Sequence, residues 1–345
     1  MRRFPRITVL MSVHNGEAYL REAVDSVLGQ TMPDFEFLVI DDGSTDGSPE
    51  LLRSYGDPRI RFFACASRSG LAATLNRGFD LARGDYIARM DCDDVCLPER
   101  LARQAAFLDL NPGTGACGTW VELIGERAGE IWRYPTEPDV VRCGLLFEST
   151  LAHPSVMFRR EMLLMASLRY DPAFPRAQDY EFWVRCSQRF PVANLGEVLL
   201  LYRRHAGQAG RHDAGGQRIS ANCVRLAQLR GLGIEPAEEE LALHERLARW
   251  ELEGSKRFVE DAGKWLMKLK AANDRCALYP EPSFSKVLGD RWFHVCHAAT
   301  GLGPWAWKVF FNLPVAAAAE LSLQKKLKFG ARCGIRYSTS RSARK

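Results

Sequence analysis

Three aspartates near residue 90 are the side chains in this sequence most suited to chemistry. Asp91, Asp93 and Asp94 directly follow the run from Tyr86 to Met90, which has the apolar character of a buried strand. Carboxylates delivered together to a strand end favour a hard divalent cation, which commonly also holds phosphate. The pattern therefore predicts an enzyme that handles a diphosphate-bearing substrate. A plainer interpretation makes Asp94 a helix cap and leaves the other two as solvated loop acids.

The segments before these aspartates alternate between apolar runs and amphipathic helical patterns. The runs cover residues 7–13, 35–40 and 59–65, and the helical patterns cover 17–30 and 71–82. Strands linked by crossover helices form a parallel sheet whose carboxyl ends share one edge. The fold class is therefore α/β with a Rossmann-like first half. No Gly-x-Gly-x-x-Gly motif follows the first strand, which argues against a dinucleotide cofactor.

The pattern changes after residue 113 to that of a mixed sheet. Residues 116–124 and 130–134 predict a hairpin that turns near Gly125, and 153–158 predicts a further strand. A helix is predicted to start near Asp179, because acids favour helix N-termini, and the last strand is predicted at 194–202. This half is expected to complete the acceptor side of a cleft.

The composition is that of a well-cored globular protein, with 46% hydrophobic and 26% charged residues in a chain of 345. The net charge of +5 is modest, but the segment after Glu320 contains only cations among its charged residues. These cations are Lys325, Lys326, Lys328, Arg332, Arg336, Arg341, Arg344 and Lys345. A basic tail suits an anionic membrane surface. We find neither a secretory signal nor a long apolar run, so we expect a cytoplasmic protein, peripheral on the inner face of the cytoplasmic membrane.

Two features of the remaining sequence leave alternatives open. Residues 214–278 predict charged helices, and the aromatic segment 303–319 fits either an interfacial segment or a buried core helix. The ten cysteines have the pattern of small core residues in a reducing compartment. Cys92 with Cys96, or His294 with Cys296 and His297, could bind zinc, but neither set has a four-ligand spacing.

Five motifs, in order along the chain, together resemble those of the family 2 glycosyltransferases of GT-A fold. They lie at residues 12–16, 38–46, 71–78, 82–94 and 178–183, and the resemblance covers residues 7 to about 205. It implies a GT-A catalytic domain over 1–210, with a nucleotide-sugar half at 1–110 and an acceptor half at 111–210. Residues 211–345 would then form a helical extension with a basic tail.

The resemblance implies a metal-dependent, inverting glycosyltransferase. The donor would be a nucleotide diphosphate sugar, by family frequency a UDP-sugar, and the ion Mn²⁺ or Mg²⁺. The acceptor would be a hydroxyl group of a glycan or lipid-linked molecule in cell-envelope polysaccharide biosynthesis; nucleic acid is not an expected partner. The Gln-x-x-Arg-Trp motif and membrane spans of processive relatives are not found, so a single addition is expected.

The resemblance also assigns roles to individual residues. Asp179 would be the general base, and Asp93 would bind the metal. His205 would either join the metal or close over the diphosphate. The nucleotide-binding residues would be Ser12, Asn15, Asp42, Arg68 and Asp91. On the acceptor side we expect His153 and Trp183. For several of these a plainer interpretation is open, with Asp179 as an N-cap or first-turn helix acid, Arg68 as a solvated arginine and His205 as a loop histidine without a ligand.

Two other functions compete with this interpretation. A sugar nucleotidyltransferase would need a basic, glycine-rich loop after the first strand to hold a triphosphate, whereas this sequence has His14, Asn15 and Gly16 there. A catalytically silent binding or scaffold protein could keep the same fold. Retention of Asp91, Asp93 and Asp179 together argues against it.

Overall fold

The computed structural model describes residues 4–208 and 213–342. By their internal contacts the residues form two units. The first unit comprises Met1–Val141 and Ser149–Ala221, and the second comprises Arg142–Glu148 and Asn222–Lys345. The predicted domain boundary at residue 210, and the division of the first domain at residue 110, stay predictions.

Among the described residues, nine strands form the mixed sheet of the first unit. They are β1 (Ile7–Val13), β2 (Phe35–Asp41), β3 (Ile60–Ala64), β4 (Tyr86–Asp91), β5 (Val95–Cys96), β6 (Ala116–Gly125), β7 (Ile131–Trp132), β8 (Met157–Arg159) and β9 (Val192–Arg204). Their order across the sheet is β3-β2-β1-β4-β8-β6-β9-β5, and β7 pairs with β6. The predicted α/β class is thereby confirmed.

The half of the sheet made by β3, β2, β1 and β4 is parallel, so its strands end at one edge. In this register Ser12 lies opposite Asp91, and Val13 lies opposite Asp41. Both β1 and β2 are buried nearly throughout, which is why their apolar patterns are continuous rather than alternating. The edge therefore presents polar residues at the ends of apolar strands.

Helices connect these strands. In chain order they are α1 (Glu17–Leu28), α2 (Ser48–Arg53), α3 (Leu71–Leu81), α4 (Arg100–Leu110), α5 (Pro138–Gly144), α6 (Arg160–Met165) and α7 (Gln178–Ser187). The apolar face predicted for α1 is confirmed, since Leu20, Val24 and Val27 are buried. The short helices α2, α5 and α6 have too few residues to show a helical period in the sequence.

The mixed half of the sheet extends from β4. There β8 is antiparallel to both β4 and β6, while β9 runs parallel to β6. The predicted hairpin is confirmed as the antiparallel pair of β6 and β7. The strand predicted at 153–158 is wrong in its first part, because His153–Ser155 form a 3₁₀ helix. Pro154 has no N–H for a sheet ladder, and both the N–H and the hydroxyl of Ser155 donate to the carbonyl of Ala152.

Helices joined by short loops make up most of the described chain from residue 214 onward, which confirms the predicted C-terminal extension. The helices are α8 (Ala214–Gly231), α9 (Glu238–Ala248), α10 (Lys256–Cys276), α11 (Ser283–Ala298), α12 (Pro304–Phe311), α13 (Val315–Ala318) and α14 (Leu323–Ser342). Trp292, Phe310 and Phe329 are buried in this unit, whereas Phe311 is half exposed. Among the described residues no helix is both long and apolar enough to cross a bilayer. Arg344 and Lys345 of the predicted basic tail lie outside the described residues.

Candidate active site

A cavity of about 1120 Å³ lies at the carboxyl ends of β1, β2 and β4 in the first unit. Every predicted site residue except Trp183 lines it: Ser12, Asn15, Asp42, Arg68, Asp91, Asp93, His153, Asp179 and His205. Pockets for drug-sized ligands measure about 300–1,000 Å³, so this cavity can hold a larger ligand. The fold thus gathers side chains from both halves of the sheet around one space.

The acidic cluster consists of Asp91, Asp93 and Asp94. Each of the three offers a carboxylate oxygen within 4.8 Å of the others. Asp91 is the last residue of β4, and the turn that follows brings the other two beside it. Like charges at this separation repel one another unless a cation lies among them. The geometry therefore keeps the three acids together at an electrostatic cost, and a cation would relieve that cost.

Arg89 is a buried arginine that the sequence reasoning missed. Two residues before Asp91 on β4, it points to the same side of the strand, and both of its terminal nitrogens donate to the Asp91 carboxylate (Nη1 to Oδ2, 2.5 Å). Burial raises the pKa of Asp91, and the negative charge of Asp93 adds to this, although Arg89 opposes both effects. An arginine inside an apolar strand, two residues before an aspartate, was the available signal.

Replacing Arg89 with Met should lower the free energy of unfolding by about 3 kcal/mol, because the loss of one partner leaves Asp91 uncompensated beside two other acids. Urea unfolding followed by circular dichroism measures the change. Arg103→Met is the matched control, since Arg103 pairs with Glu197 (2.6 Å) on the surface, where a pair contributes about 0–1 kcal/mol. Equal losses of unfolding free energy in Arg89→Met and Arg103→Met would show that Arg89 has no special role in stabilising the acidic cluster.

Asp94 is the most deeply buried acid of the cluster. Its Oδ1 accepts a hydrogen bond from the backbone N–H of Arg203 (2.8 Å), while its Oδ2 is buried and has no hydrogen-bond partner within the described part of the chain. Burial, together with the charges of Asp91 and Asp93, raises the pKa of Asp94 well above its usual value. The alternative that Asp94 caps a helix is wrong, because Glu99 occupies the N-cap position of α4.

Asp93 is held from two sides by residues at the end of β9. Its Oδ2 lies 3.0 Å from Nε2 of His205, and its backbone carbonyl accepts a hydrogen bond from Nε of Arg203 (2.8 Å). Tyr19 packs against both of these residues, with the His205 ring at 4.8 Å and the Arg203 guanidinium at 4.6 Å from its ring centre. His205 therefore has a defined protein partner, and its predicted role in binding the metal stays a prediction.

Asp42 anchors the loop that opens α3. Its carboxylate accepts hydrogen bonds from the N–H and hydroxyl of Ser69 (both 2.7 Å) and from the N–H of Gly70 (2.8 Å). Burial alone would raise the pKa of Asp42, but these hydrogen bonds outweigh it and hold the pKa below its usual value. The carboxylate is therefore ionised and fixed in orientation.

Asn15 and Arg68 occupy contrasting places in the cavity wall. Asn15 adopts a left-handed conformation (φ 52°) and joins two loops, since its N–H donates to the Ser44 hydroxyl and its Oδ1 accepts from the N–H of Thr45. Arg68 is exposed and forms no ion pair within the described residues. Its charge is therefore available to a ligand, whereas the backbone N–H and the Oδ1 of Asn15 are used within the protein.

Asp179 lies in the first turn of α7 and is half-buried. The N-cap position belongs to Ala177, which has a left-handed conformation (φ 52°) that costs energy for a residue with a side chain. Burial raises the pKa of Asp179, although the Tyr180 N–H and the charge of Arg89 oppose this. Asp179 thus combines access to the cavity with increased basicity.

Of the two residues predicted on the acceptor side, His153 lines the cavity and Trp183 does not. His153 lines the cavity, its Nε2 lies 2.8 Å from the Tyr170 hydroxyl, and burial lowers its pKa so that the ring is neutral. The prediction that Trp183 lines the acceptor side is wrong, because its side chain is fully buried. Trp183 instead packs edge-to-face on His153, at 5.8 Å between ring centres, and supports that ring from behind.

Comparison with known proteins identifies the family. Residues 8–164 match the family model described as Glycosyl transferase family 2. An uncharacterized glycosyltransferase of Haemophilus influenzae is 30% identical over 220 residues, which cover 60% of this chain and 68% of that protein. The chain belongs to glycosyl transferase family 2. The O-antigen biosynthesis glycosyltransferase WbnJ of Escherichia coli is 32% identical to this family member over 213 residues, covering 59% of this chain and 82% of WbnJ.

The fold of this family 2 protein also resembles solved structures. The S. aureus protein TarS, residues 1–349 in complex with UDP-GlcNAc, superposes with a TM-score of 0.56 at 16% identity, covering 97% of this chain and 92% of that one. At this identity the likeness concerns the fold alone. The predicted family, GT-A fold and enzyme class are confirmed: the protein is a glycosyltransferase.

Proposed function

We propose that the protein adds a single sugar, with inversion at the anomeric carbon, from a UDP-sugar to a hydroxyl group of a glycan or lipid-linked acceptor in cell-envelope polysaccharide biosynthesis. The observation that carries this proposal is that Asp91, Asp93 and Asp179 line one cavity, with Asp94 buried beside the first two. The name of the E. coli relative supports a role in polysaccharide biosynthesis. The UDP-GlcNAc bound in the S. aureus structure supports a uridine nucleotide in the donor.

The acidic cluster fits a divalent cation, Mn²⁺ or Mg²⁺. Three carboxylates within 4.8 Å of one another form a hard oxygen donor set, and the buried Oδ2 of Asp94 lacks a partner among the described residues. Asp93 would hold the ion with Asp91 and Asp94 beside it, and His205 would join it or orient Asp93. When bound, the ion neutralises charge on the diphosphate leaving group.

Residues beside the acidic cluster, at the ends of β1, β2 and β4, would bind the nucleotide. Ser12 and Asp42 would face the base, and Asp91 the ribose or the edge of the base. The Asp42 carboxylate is held in a fixed orientation by Ser69 and Gly70, so it would present its charge to the base in one direction. Asn15 would contribute its amide, and the exposed guanidinium of Arg68 would contact the diphosphate.

Asp179 would act as the general base. An acceptor hydroxyl is a weak nucleophile and must lose its proton as it attacks the anomeric carbon, and a carboxylate in reach of that hydroxyl removes it. The raised pKa of Asp179 makes it a better base than an exposed aspartate. Direct displacement of the nucleoside diphosphate by the acceptor inverts the configuration of the anomeric carbon, and it needs only this one base.

The acceptor would enter beside His153, whose neutral ring is fixed by Tyr170 and backed by Trp183. Trp132 and Tyr202 also line the cavity, with ring centres 5.5 Å apart, and offer an aromatic surface for a sugar ring. We place the enzyme in the cytoplasm, peripheral on the inner face of the cytoplasmic membrane. The cations after Glu320 support that location.

Equilibrium binding tests the nucleotide and the metal before any acceptor is known. We expect UDP with Mn²⁺ to raise the melting temperature more than either alone, since a ligand at about 100 times its Kd adds about 2.7 kcal/mol to the stability of the folded state. GDP and ADP with Mn²⁺ are the controls. Preference for GDP would overturn the uridine assignment, and no response to any nucleotide with metal would overturn the donor site.

A further inference from the structure

Helix α14 exposes an apolar stripe in the second unit. Leu323 and Leu327, one turn apart, are 72% and 64% exposed, whereas Phe329 and Cys333 on another side of the helix are buried. An amphipathic helix of a globular protein normally carries one apolar face, which it buries. The outer stripe is therefore a second apolar face, and none of the residues that the structure describes covers it.

This stripe continues onto α12. Trp307 packs against Gly330, where an added Cβ would come within 3.2 Å of the indole ring, and Gly330 follows Leu327 by one turn. The Trp307 ring lies 4.9 Å from that of Phe311, which is 50% exposed. We call Trp307, Phe311, Leu323 and Leu327 the docking face.

Cations border the docking face. The exposed ones are Lys308, Lys325, Lys328 and Arg332. Arg332 also contacts Nε2 of His297 (2.7 Å). Residues 321–342 contain no acid, and the preceding Glu320 is paired with Lys286 (2.6 Å). The positive charge around the face is therefore not compensated by acids on its own helix.

We propose that the docking face binds a bilayer that contains anionic phospholipid, with the aromatic and leucine side chains at the boundary between headgroups and acyl chains. Trp, Phe and Leu bordered by Lys are typical of helices that lie in this interface, and anionic headgroups attract the lysines. A second copy of the chain would instead bring like charges together. The inference rests on the membrane location in the proposed function and assigns a surface to it, although docking itself needs neither donor nor metal.

Vesicle co-sedimentation of the full chain, without nucleotide or added metal, tests the proposal. We expect binding to phosphatidylcholine vesicles that contain phosphatidylglycerol, weakened by salt, and little binding to phosphatidylcholine alone. The double variant Leu323→Glu, Leu327→Glu should bind about tenfold less or weaker still. Leu110→Glu, at a leucine that is 82% exposed on α4, should bind as the parent does.

A second pair of variants tests the charges. Lys325→Gln with Lys328→Gln should weaken binding, whereas Arg257→Gln with Lys264→Gln on α10, which removes the same charge from another exposed helix, should change it less. Equal binding by the parent and all variants would overturn the proposal. Sedimentation velocity would show whether the parent chain is a dimer. If it is, and only the double leucine variant is a monomer, the docking face binds a second copy of the chain instead. Donor hydrolysis in solution reports on the proposed function alone, so the two proposals fail separately.

Discussion

Replacing Asp179 with Asn should lower the rate of sugar transfer by about 10²–10⁴-fold while leaving the affinity for the donor nearly unchanged. The amide has the shape of the carboxylate but cannot take a proton from the acceptor hydroxyl. Asp179 lies in the first turn of α7 at the cavity, where burial raises its pKa. Initial rates at saturating donor, with donor affinity measured by calorimetry, separate the two effects.

The control for this substitution is Glu181→Gln in the same turn of α7. Glu181 pairs with Arg185 (2.5 Å) and does not line the cavity, so this variant should retain most of the parental rate. Comparable losses in both variants would indicate damage to α7 rather than removal of a base.

The substitution Asp179→Asn should also change the melting temperature of the protein. Because burial raises the pKa of Asp179 above its usual value of 3.8, ionisation of this group costs stability as the pH rises from about 4 through the folded-state pKa. Asp179→Asn removes that cost. Without added metal, the variant should melt above the parent at neutral pH, and the difference should vanish at about pH 4 and below. A carboxylate needed to stabilise the helix would give the opposite sign.

Replacing Asp93 with Asn should lower metal-dependent transfer by about 10²-fold or more, since charge stabilisation by a bound ion contributes several kcal/mol. Asp93 lies beside two other acids and is oriented by His205, so its loss removes a central donor of the cluster. Rates titrated with Mn²⁺, together with metal affinity from calorimetry, measure the effect.

Asp80→Asn is the matched control, because Asp80 is largely exposed and pairs with Arg169 away from the cavity. Without metal, Asp93→Asn should be no less stable than the parent, since it relieves repulsion from Asp91 and Asp94. If the variant kept the parental dependence on metal concentration, the ion would bind elsewhere.

The parallel half of the sheet could be predicted because its signals are local. Continuous apolar runs became β1 and β2, and the polar residues after them met at one edge since parallel strands end together. Asp91 and Asp93 were found for the same reason. The mixed half depends on long-range pairing, and no local pattern indicates that β9 runs parallel to β6. There the GT-A fold was predicted from the resemblance and not from periodicity.

The errors in the site arise where tertiary packing decides the direction of a side chain. Trp183 belongs to the same motif as Asp179, but its position on α7 turns it into the core. Arg89 was missed because it is a single charged residue within an apolar strand. Its guanidinium nevertheless donates to the Asp91 carboxylate. The unpartnered Oδ2 of Asp94 is a property of the packed structure, which a spacing pattern cannot reveal.

The most direct measurement of the central claim is release of nucleoside diphosphate from a panel of nucleotide sugars with Mn²⁺ or Mg²⁺. The parent chain is compared with Asp93→Ala and Asp179→Asn. We expect a UDP-sugar to be cleaved slowly in the presence of metal and both substitutions to abolish cleavage. A parent chain that cleaves no donor, and whose melting temperature no donor shifts in the presence of metal, would contradict the proposed reaction and favour a silent binding protein.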